Sequence, residues 1–311
     1  MKHSESNLRN NACGVLAVMV LIFGCLLCLS GGVSGKTLVI NGTAVNITNS
    51  RQLNFLLFEA AEYGRMEDLR QLLELGASVK ARNRFGNTAF QLAARKGHLD
   101  AVRVLLDAGS NLHHQNLAGS TALLQASKAR RRKVVKHLLS LKAEVNVANQ
   151  QQLTPLIVAA YNGDRKTVRL LLKHGADATA KDRTGKPALV YAAGKGFAKI
   201  VGLLLDTGID PNIRYENGLT PLMWAAGHSN DVPVRSALKT VKLLLSRGTL
   251  PDLQENRGRT ALMIAAERGH SRIVAHLVEV GAKTDLRDKE GDTALDLAEK
   301  ANHPEVAKLL R

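Results

Sequence analysis

Few residues in this 311-residue chain have the types and spacing that reaction chemistry needs. No G-x-S-x-G, H-E-x-x-H or glycine-rich phosphate loop occurs, so there is no nucleophile elbow, zinc-protease helix or nucleotide cradle. The three cysteines are Cys13, Cys25 and Cys28, and the rest of the chain has no thiol for a nucleophile, a disulfide or a zinc site. His113-His114 is the one histidine pair, but adjacent side chains in a hairpin point apart and no further ligand has suitable spacing. We therefore expect no catalytic residue, no metal, no cofactor and no small-molecule substrate.

What the side chains do offer is binding chemistry. Lys+Arg number 43 against 27 Asp+Glu, a formal net charge of +16. The densest run is Lys128, Arg130, Arg131, Arg132, Lys133 and Lys136. Such a patch suits an acidic protein or an anionic membrane surface, or it is a solvated face. Nucleic acid fits poorly, because the run has no interleaved aromatics for base stacking. Aromatics are only 4% of the chain, yet Tyr161, Tyr191 and Trp224 fall at comparable places in three successive segments. Tyr and Trp anchor interfaces because they bury large area with few rotors. Core packing is the competing reading, above all for Tyr191 and Trp224.

The elements that must carry these residues repeat. Ala60-Ala61 recurs as Ala93-Ala94, Ala126-Ser127, Ala159-Ala160, Ala192-Ala193 and Ala225-Ala226, each step being 33 residues. Ala265-Ala266 follows after 40, so about seven residues are inserted, and Ala298 after another 33. Two glycine series run in phase, one beginning Gly76-Gly109 and the other Gly86-Gly119. Within one unit Gly86 marks a turn and Thr88 stands where a helix N-cap belongs. A short helix then spans 89–96, and Gly97 breaks it. A second helix from Leu99 carries Leu99, Val102, Leu105 and Leu106 on one apolar face, and Gly109 closes it. Such a unit buries its apolar face only against its neighbours, which is why units come in arrays. Eight units start near residues 51, 83, 116, 149, 182, 215, 255 and 288. The insertion, 227–238, reads as a loop stiffened by Pro233.

These residues resemble ankyrin repeats. Thr154-Pro155-Leu156-Ile157-Val158-Ala159-Ala160 and Leu170-Leu171-Leu172-Lys173-His174-Gly175-Ala176-Asp177 match the pattern of that family, as does Thr220-Pro221-Leu222. The resemblance covers residues 51–311. It implies an all-α repeat solenoid, a curved stack of helix-turn-helix units with β-hairpin fingers, whose terminal units act as caps. It also implies a protein-interaction scaffold, not an enzyme. Partners would lie on the concave face, at the finger tips and at the two residues after each Ala-Ala. The tip candidates are Arg84, Phe85, Asn87, Gln150, Gln151 and Leu153, then Arg183, Lys186, Arg257 and Arg259. Those after Ala-Ala are Arg95, Lys96, Lys128, Tyr161 and Asn162, then Lys195 and Arg268.

Departures from the family pattern are informative. Its T-P-L-H histidine is replaced by Gln91, Leu124, Ile157, Val190, Met223, Met263 and Asp296, which puts its usual hydrogen-bond network in doubt. In the third unit Arg130, Lys142 and Gln152 stand where the pattern has glycine. A lysine in a left-handed cap costs about 1 kcal/mol. The array should be weakest around the third and fourth units.

Ahead of the array, Lys2 and Arg9 precede an apolar run, residues 12–29, and a stretch of small residues. Residues 1–35 read as a secretory signal cleaved before Lys36, with a retained membrane anchor or lipid attachment at Cys25 as alternatives. Each places the array outside the cytoplasm, periplasmic or secreted. Residues 36–50 form a hairpin linker, turning at Asn41-Gly42. The chain is similar to small exported bacterial ankyrin proteins. The leading expectation is an extracytoplasmic scaffold that binds another protein. The alternatives are a secreted effector engaging host proteins and a basic binder of polyanions or membrane surfaces.

Overall fold

The computed structural model describes residues 36–40, 43–229 and 231–311. The apolar run and its signal or anchor reading lie outside the described residues. Among those described, no helix is long and apolar enough to cross a membrane. The described residues divide into two units, one ending at Asn49 and the other spanning residues 50–311. In the first, β1 (Lys36–Ile40) pairs antiparallel with β2 (Thr43–Ile47), and Ile40 faces Thr43. That register leaves two residues for the connection, the length an Asn-Gly turn requires.

Among the described residues the second unit holds sixteen α-helices in eight consecutive pairs. The pairs are α1 (Ser50–Tyr63) with α2 (Met66–Glu74), α3 (Ala89–Lys96) with α4 (Leu99–Asp107), α5 (Ala122–Lys128) with α6 (Arg132–Ser140), and α7 (Pro155–Tyr161) with α8 (Arg165–Lys173). They continue with α9 (Ala188–Gly194) and α10 (Ala198–Leu205), α11 (Pro221–Ala226) and α12 (Val234–Ser246), α13 (Ala261–Glu267) and α14 (Ser271–Glu279), α15 (Ala294–Lys300) and α16 (Pro304–Leu310). Each first helix packs on the next first helix and each second helix on the next second helix. The chain is an all-α solenoid of nearest-neighbour contacts.

Local chemistry sets the boundaries. Thr88, Thr121, Thr154, Thr220, Thr260 and Thr293 each cap a first helix by accepting the backbone N–H three residues on. In the fifth pair Pro187 takes this place and supplies no side-chain cap. The Ala-Ala pairs are buried because a larger side chain would hold adjacent first helices apart. Second helices bury one stripe only; Val102 and Leu105 of α4 are fully covered.

The missing glycines leave a visible mark. Arg130, Lys142 and Gln152 take φ of 59°, 59° and 57°, the left-handed region that their glycine counterparts occupy at no cost. At Lys142 the backbone bonds match those of a glycine closure. Its N–H donates to Leu139 O and that of Ala143 to Leu138 O, as Gly109 and Ser110 donate to Leu106 O and Leu105 O. The fold imposes the conformation and the lysine carries the strain.

Gln91 takes over what the absent histidine leaves open in the second unit. Fully buried, it donates to His114 O at 3.0 Å and Ser120 O at 2.8 Å, and closes a capping box with Thr88.

Two expectations need correction. The fingers are turns rather than β-hairpins; among the described residues, strands occur only in β1 and β2, and the fingers add isolated bridges at Lys181–Pro187 and Tyr215–Leu219. Except in the finger that begins at Tyr215, their shape comes from an Asn, Asp or Glu side chain that accepts the amides two and four residues on, as Asn149 does from Gln151 and Leu153. The insertion is only half loop. Residues 234–238 are helical and lengthen α12, while Val232 folds inward, 5% exposed.

Candidate functional site

Three rings converge where α7, α9 and α11 lie side by side. Tyr161 ends α7 with 50% of its surface exposed. Its ring meets that of Tyr191 edge to face, centroids 5.4 Å apart and planes at 82°. Tyr191 is held from the finger, since its hydroxyl donates to Asp182 Oδ2. Burial, then this bond to a carboxylate, push the Tyr191 phenol up to about 12, so it stays protonated and donating. Burial works against the Asp182 charge, but the Tyr191 and Thr184 hydroxyls and the Lys186 and Thr184 amides outweigh it and hold the carboxyl below its usual range. The Tyr161 ring therefore rests on a fixed wall.

Trp224 of α11 is half-buried beside Gly194, where a Cβ would make ordinary contact with Trp224 Cε3 at 3.7 Å. Lys186 Nζ stands 5.1 Å over the indole and Lys195 Nζ 5.7 Å over the Tyr161 ring. With Val190, His228 and Arg268 these residues line a groove of about 300 Å³. Each lysine has one carboxylate partner, Glu216 at 3.3 Å and Asp231 at 3.2 Å. Solvent-exposed pairs of this kind are worth ~0–1 kcal/mol and exchange readily. Trp224 Nε1 is buried without a partner.

On the wall of the groove, His228 stacks on His270 with centroids 3.9 Å apart and planes 1° from parallel. Their Nδ1 atoms face the carbonyls of Ser229 at 3.0 Å and Ala226 at 2.7 Å, so each Nδ1 carries the proton. Both Nε2 atoms are buried and unpartnered. Burial, with the nearby His228, Arg268 and His303, holds the His270 pKa below its ordinary value despite the Ala226 carbonyl.

The other expected residues scatter. Arg84 lies over the exposed Phe85 ring at 4.8 Å, and Arg183 and Arg257 are exposed on fingers. Arg95 and Lys96 both pair with Glu62, at 3.1 and 3.2 Å. Asn162 spends its amide on Lys128 O. Arg259 is 7% exposed and bridges Glu267 at 2.7 Å to Asp288 at 3.2 Å; it braces two fingers and is not free for a partner. The basic patch is likewise partly engaged. Arg131 Nε donates to Arg95 O and Arg132 pairs with buried Asp164 at 3.0 Å, while Lys128, Arg130, Lys133 and Lys136 are exposed.

His113 and His114 reach different partners, Glu144 and Gly86 O. One acidic group, Asp288, Glu290 and Asp292, brings three oxygens within 4.8 Å of one another. Asp288 is occupied by the Glu290 and Asp292 amides and by Arg259, and Asp292 by Lys300. What sequence reading missed is the supporting set, Asp182 and the His228–His270 stack. Asp182 had a signal, being the acidic residue ahead of the finger glycine; the stack had none, because the insertion breaks the repeat phase.

Neighbouring fingers are joined by single backbone bonds, Leu117 N–H to Phe85 O, Gln150 to Ala118 O and Arg183 to Gln151 O. No match was found among curated proteins. The family described as Ankyrin repeats (3 copies) matches residues 33–117, 57–149, 123–215, 156–234 and 234–311. With paired helices, threonine caps and linked fingers in one phase, and with that match over most of its length, the chain belongs to the ankyrin-repeat family.

Proposed function

We propose that this chain is a non-catalytic scaffold that acts outside the cytoplasm and binds another protein through the Tyr161–Tyr191–Trp224 groove. The observation that carries the site is economy of aromatics. The chain has eleven Phe, Tyr and Trp, and three of them meet in this one groove. Tyr161 has half its surface exposed yet is braced by Tyr191, so little rotor entropy remains to be lost on binding. Lys186, Lys195 and Arg268 rim the rings, which favours a segment pairing an apolar side chain with carboxylates. Ankyrin repeats are in general protein-interaction modules, which supports the class of function. The extracytoplasmic setting rests on Lys2, Arg9 and the apolar run that follows them.

The test is partner capture by crosslinking in the envelope fraction and medium, with Tyr161→Ala alongside the unaltered chain. Truncating a central aromatic anchor costs about 2 kcal/mol, so its partner should bind roughly 30-fold more weakly. A partner captured equally by both chains would remove the groove as its site. Recovery of the chain in the cytoplasm alone would remove the setting.

A further inference from the structure

The second helices of four successive units carry no carboxylate. α6, α8, α10 and α12 hold three, four, one and three Lys or Arg, and no Asp or Glu. These charges are in phase with the repeat. Lys133, Lys166, Lys199 and Lys239 occupy equivalent places, and Arg272 continues the column on α14. Three residues on, Lys136, Arg169 and Lys242 form a second column. Residues three apart share a helix face, so the two columns form one surface. All eight side chains are exposed. Among the described residues none of them makes an ion pair.

Packed helices stand about 8–10 Å apart, so the first column runs roughly 32–40 Å across five of them. Cations on neighbouring helices of such a row lie within about one Debye length of each other and repel. Acidic residues frame the face, Asp100 and Asp107 on α4 and Glu279 on α14. Six of the eight are lysines, point charges suited to a diffuse field, where arginine forks would suit a single carboxylate or phosphate. Neither column contains an aromatic ring, and the face is a broad row of parallel helices, unlike the groove on the first helices.

We propose that this second-helix face docks the array on an anionic phospholipid surface. Its occupant follows from charge complementarity: many weak attractions from a broad lysine-rich face without an aromatic anchor match the field of a bilayer better than one protein ligand. Each Lys or Arg near such a surface strengthens binding about fivefold. The face is separate from the aromatic groove, so membrane docking and partner binding can occur together, and loss of one leaves the other measurable.

The experiment uses the full chain and co-sedimentation with vesicles of one-third phosphatidylglycerol in phosphatidylcholine, against phosphatidylcholine alone, at low and high salt. Lys166→Gln with Lys199→Gln should weaken anionic-vesicle binding roughly 30-fold at low salt, with thermal unfolding unchanged. Arg84→Gln with Arg257→Gln removes the same charge from the fingers and should weaken it less than about threefold, since those side chains lie off the face. The apolar N-terminal run is common to all three chains, so the differences report the array. Equal loss in both double variants would reduce the effect to net charge and overturn the proposal. So would undiminished binding by the Lys166/Lys199 variant, or anionic preference that survives high salt. Loss of binding to polyglutamate with vesicle binding intact would also overturn it, giving the face to an acidic protein.

Discussion

Replacing Lys142 by glycine is expected to stabilise the array. The residue closes α6 at φ 59°, with the same backbone hydrogen bonds that Gly109 makes after α4. A side chain in that conformation costs about 1–2 kcal/mol through the clash of Cβ with the following carbonyl. Glycine removes the clash but loosens the unfolded chain, which returns about 0.4–1 kcal/mol. The net gain is therefore about 0.5–1 kcal/mol. The mirror experiment isolates the same quantity. A Cβ built on Gly175 meets nothing within 4 Å, so Gly175→Ala suffers the backbone clash without a packing clash and should destabilise by about 1 kcal/mol. Urea unfolding at constant m-value reads both effects, and native-state hydrogen exchange should show the gain in the amides of α6 and α7. A Lys142→Gly chain less stable than the parent, or a neutral Gly175→Ala, would refute the reasoning. In the unaltered chain, exchange protection lowest outside the third and fourth units would refute the idea that left-handed Arg130, Lys142 and Gln152 make these units the weakest.

Other outcomes follow from single contacts. Arg259→Ala should destabilise by about 2 kcal/mol because buried Asp288 loses its cation and keeps only the Glu290 and Asp292 amides, whereas Arg257→Ala, on the exposed side of the same finger, should stay within about 0.5 kcal/mol; thermal melts separate the two. Gln91→Leu leaves His114 O without its donor and Ser120 O with the Asn116 amide alone, and should cost about 2 kcal/mol, read by urea unfolding. The lowered His270 pKa means that the unfolded chain binds the proton more tightly than the folded one. Its contribution is complete above the ordinary value of 6.5 and is lost as pH falls below it; melting between pH 7.5 and 5 should drop less in His270→Gln. Asp164, held below its ordinary range by Thr167 and Arg132 against the opposing effect of burial, contributes at neutral pH and loses that contribution in acid. Arg132→Ala should therefore move the acid-unfolding midpoint to higher pH.

The sequence by itself determined the fold. Alanine pairs, capping threonines and closing glycines in one phase specify where each helix starts and stops, because each acts on its own few residues. The N-cap at Thr88, the helix over 89–96 and the strained closures at Arg130 and Lys142 were all legible for that reason. Proximity across the stack was only half legible. First helices of successive units become neighbours, which brought Tyr161, Tyr191 and Trp224 into view as a set, although only Tyr191 and Trp224 are a full period apart. Their brace by Asp182, their depth and the cations above them depend on side-chain directions that spacing does not encode. Only the tertiary structure removed Arg259 from the surface, since two carboxylates from separate places fold around it. It likewise turned a local run at Arg130–Lys136 into one corner of a larger basic face, whose members lie 33 or 40 residues apart along the chain. The His228–His270 stack depends on the insertion, which shifts the phase on which sequence reading relied. Periodic local interactions are written residue by residue; burial and pairing across units exist only once the units have packed.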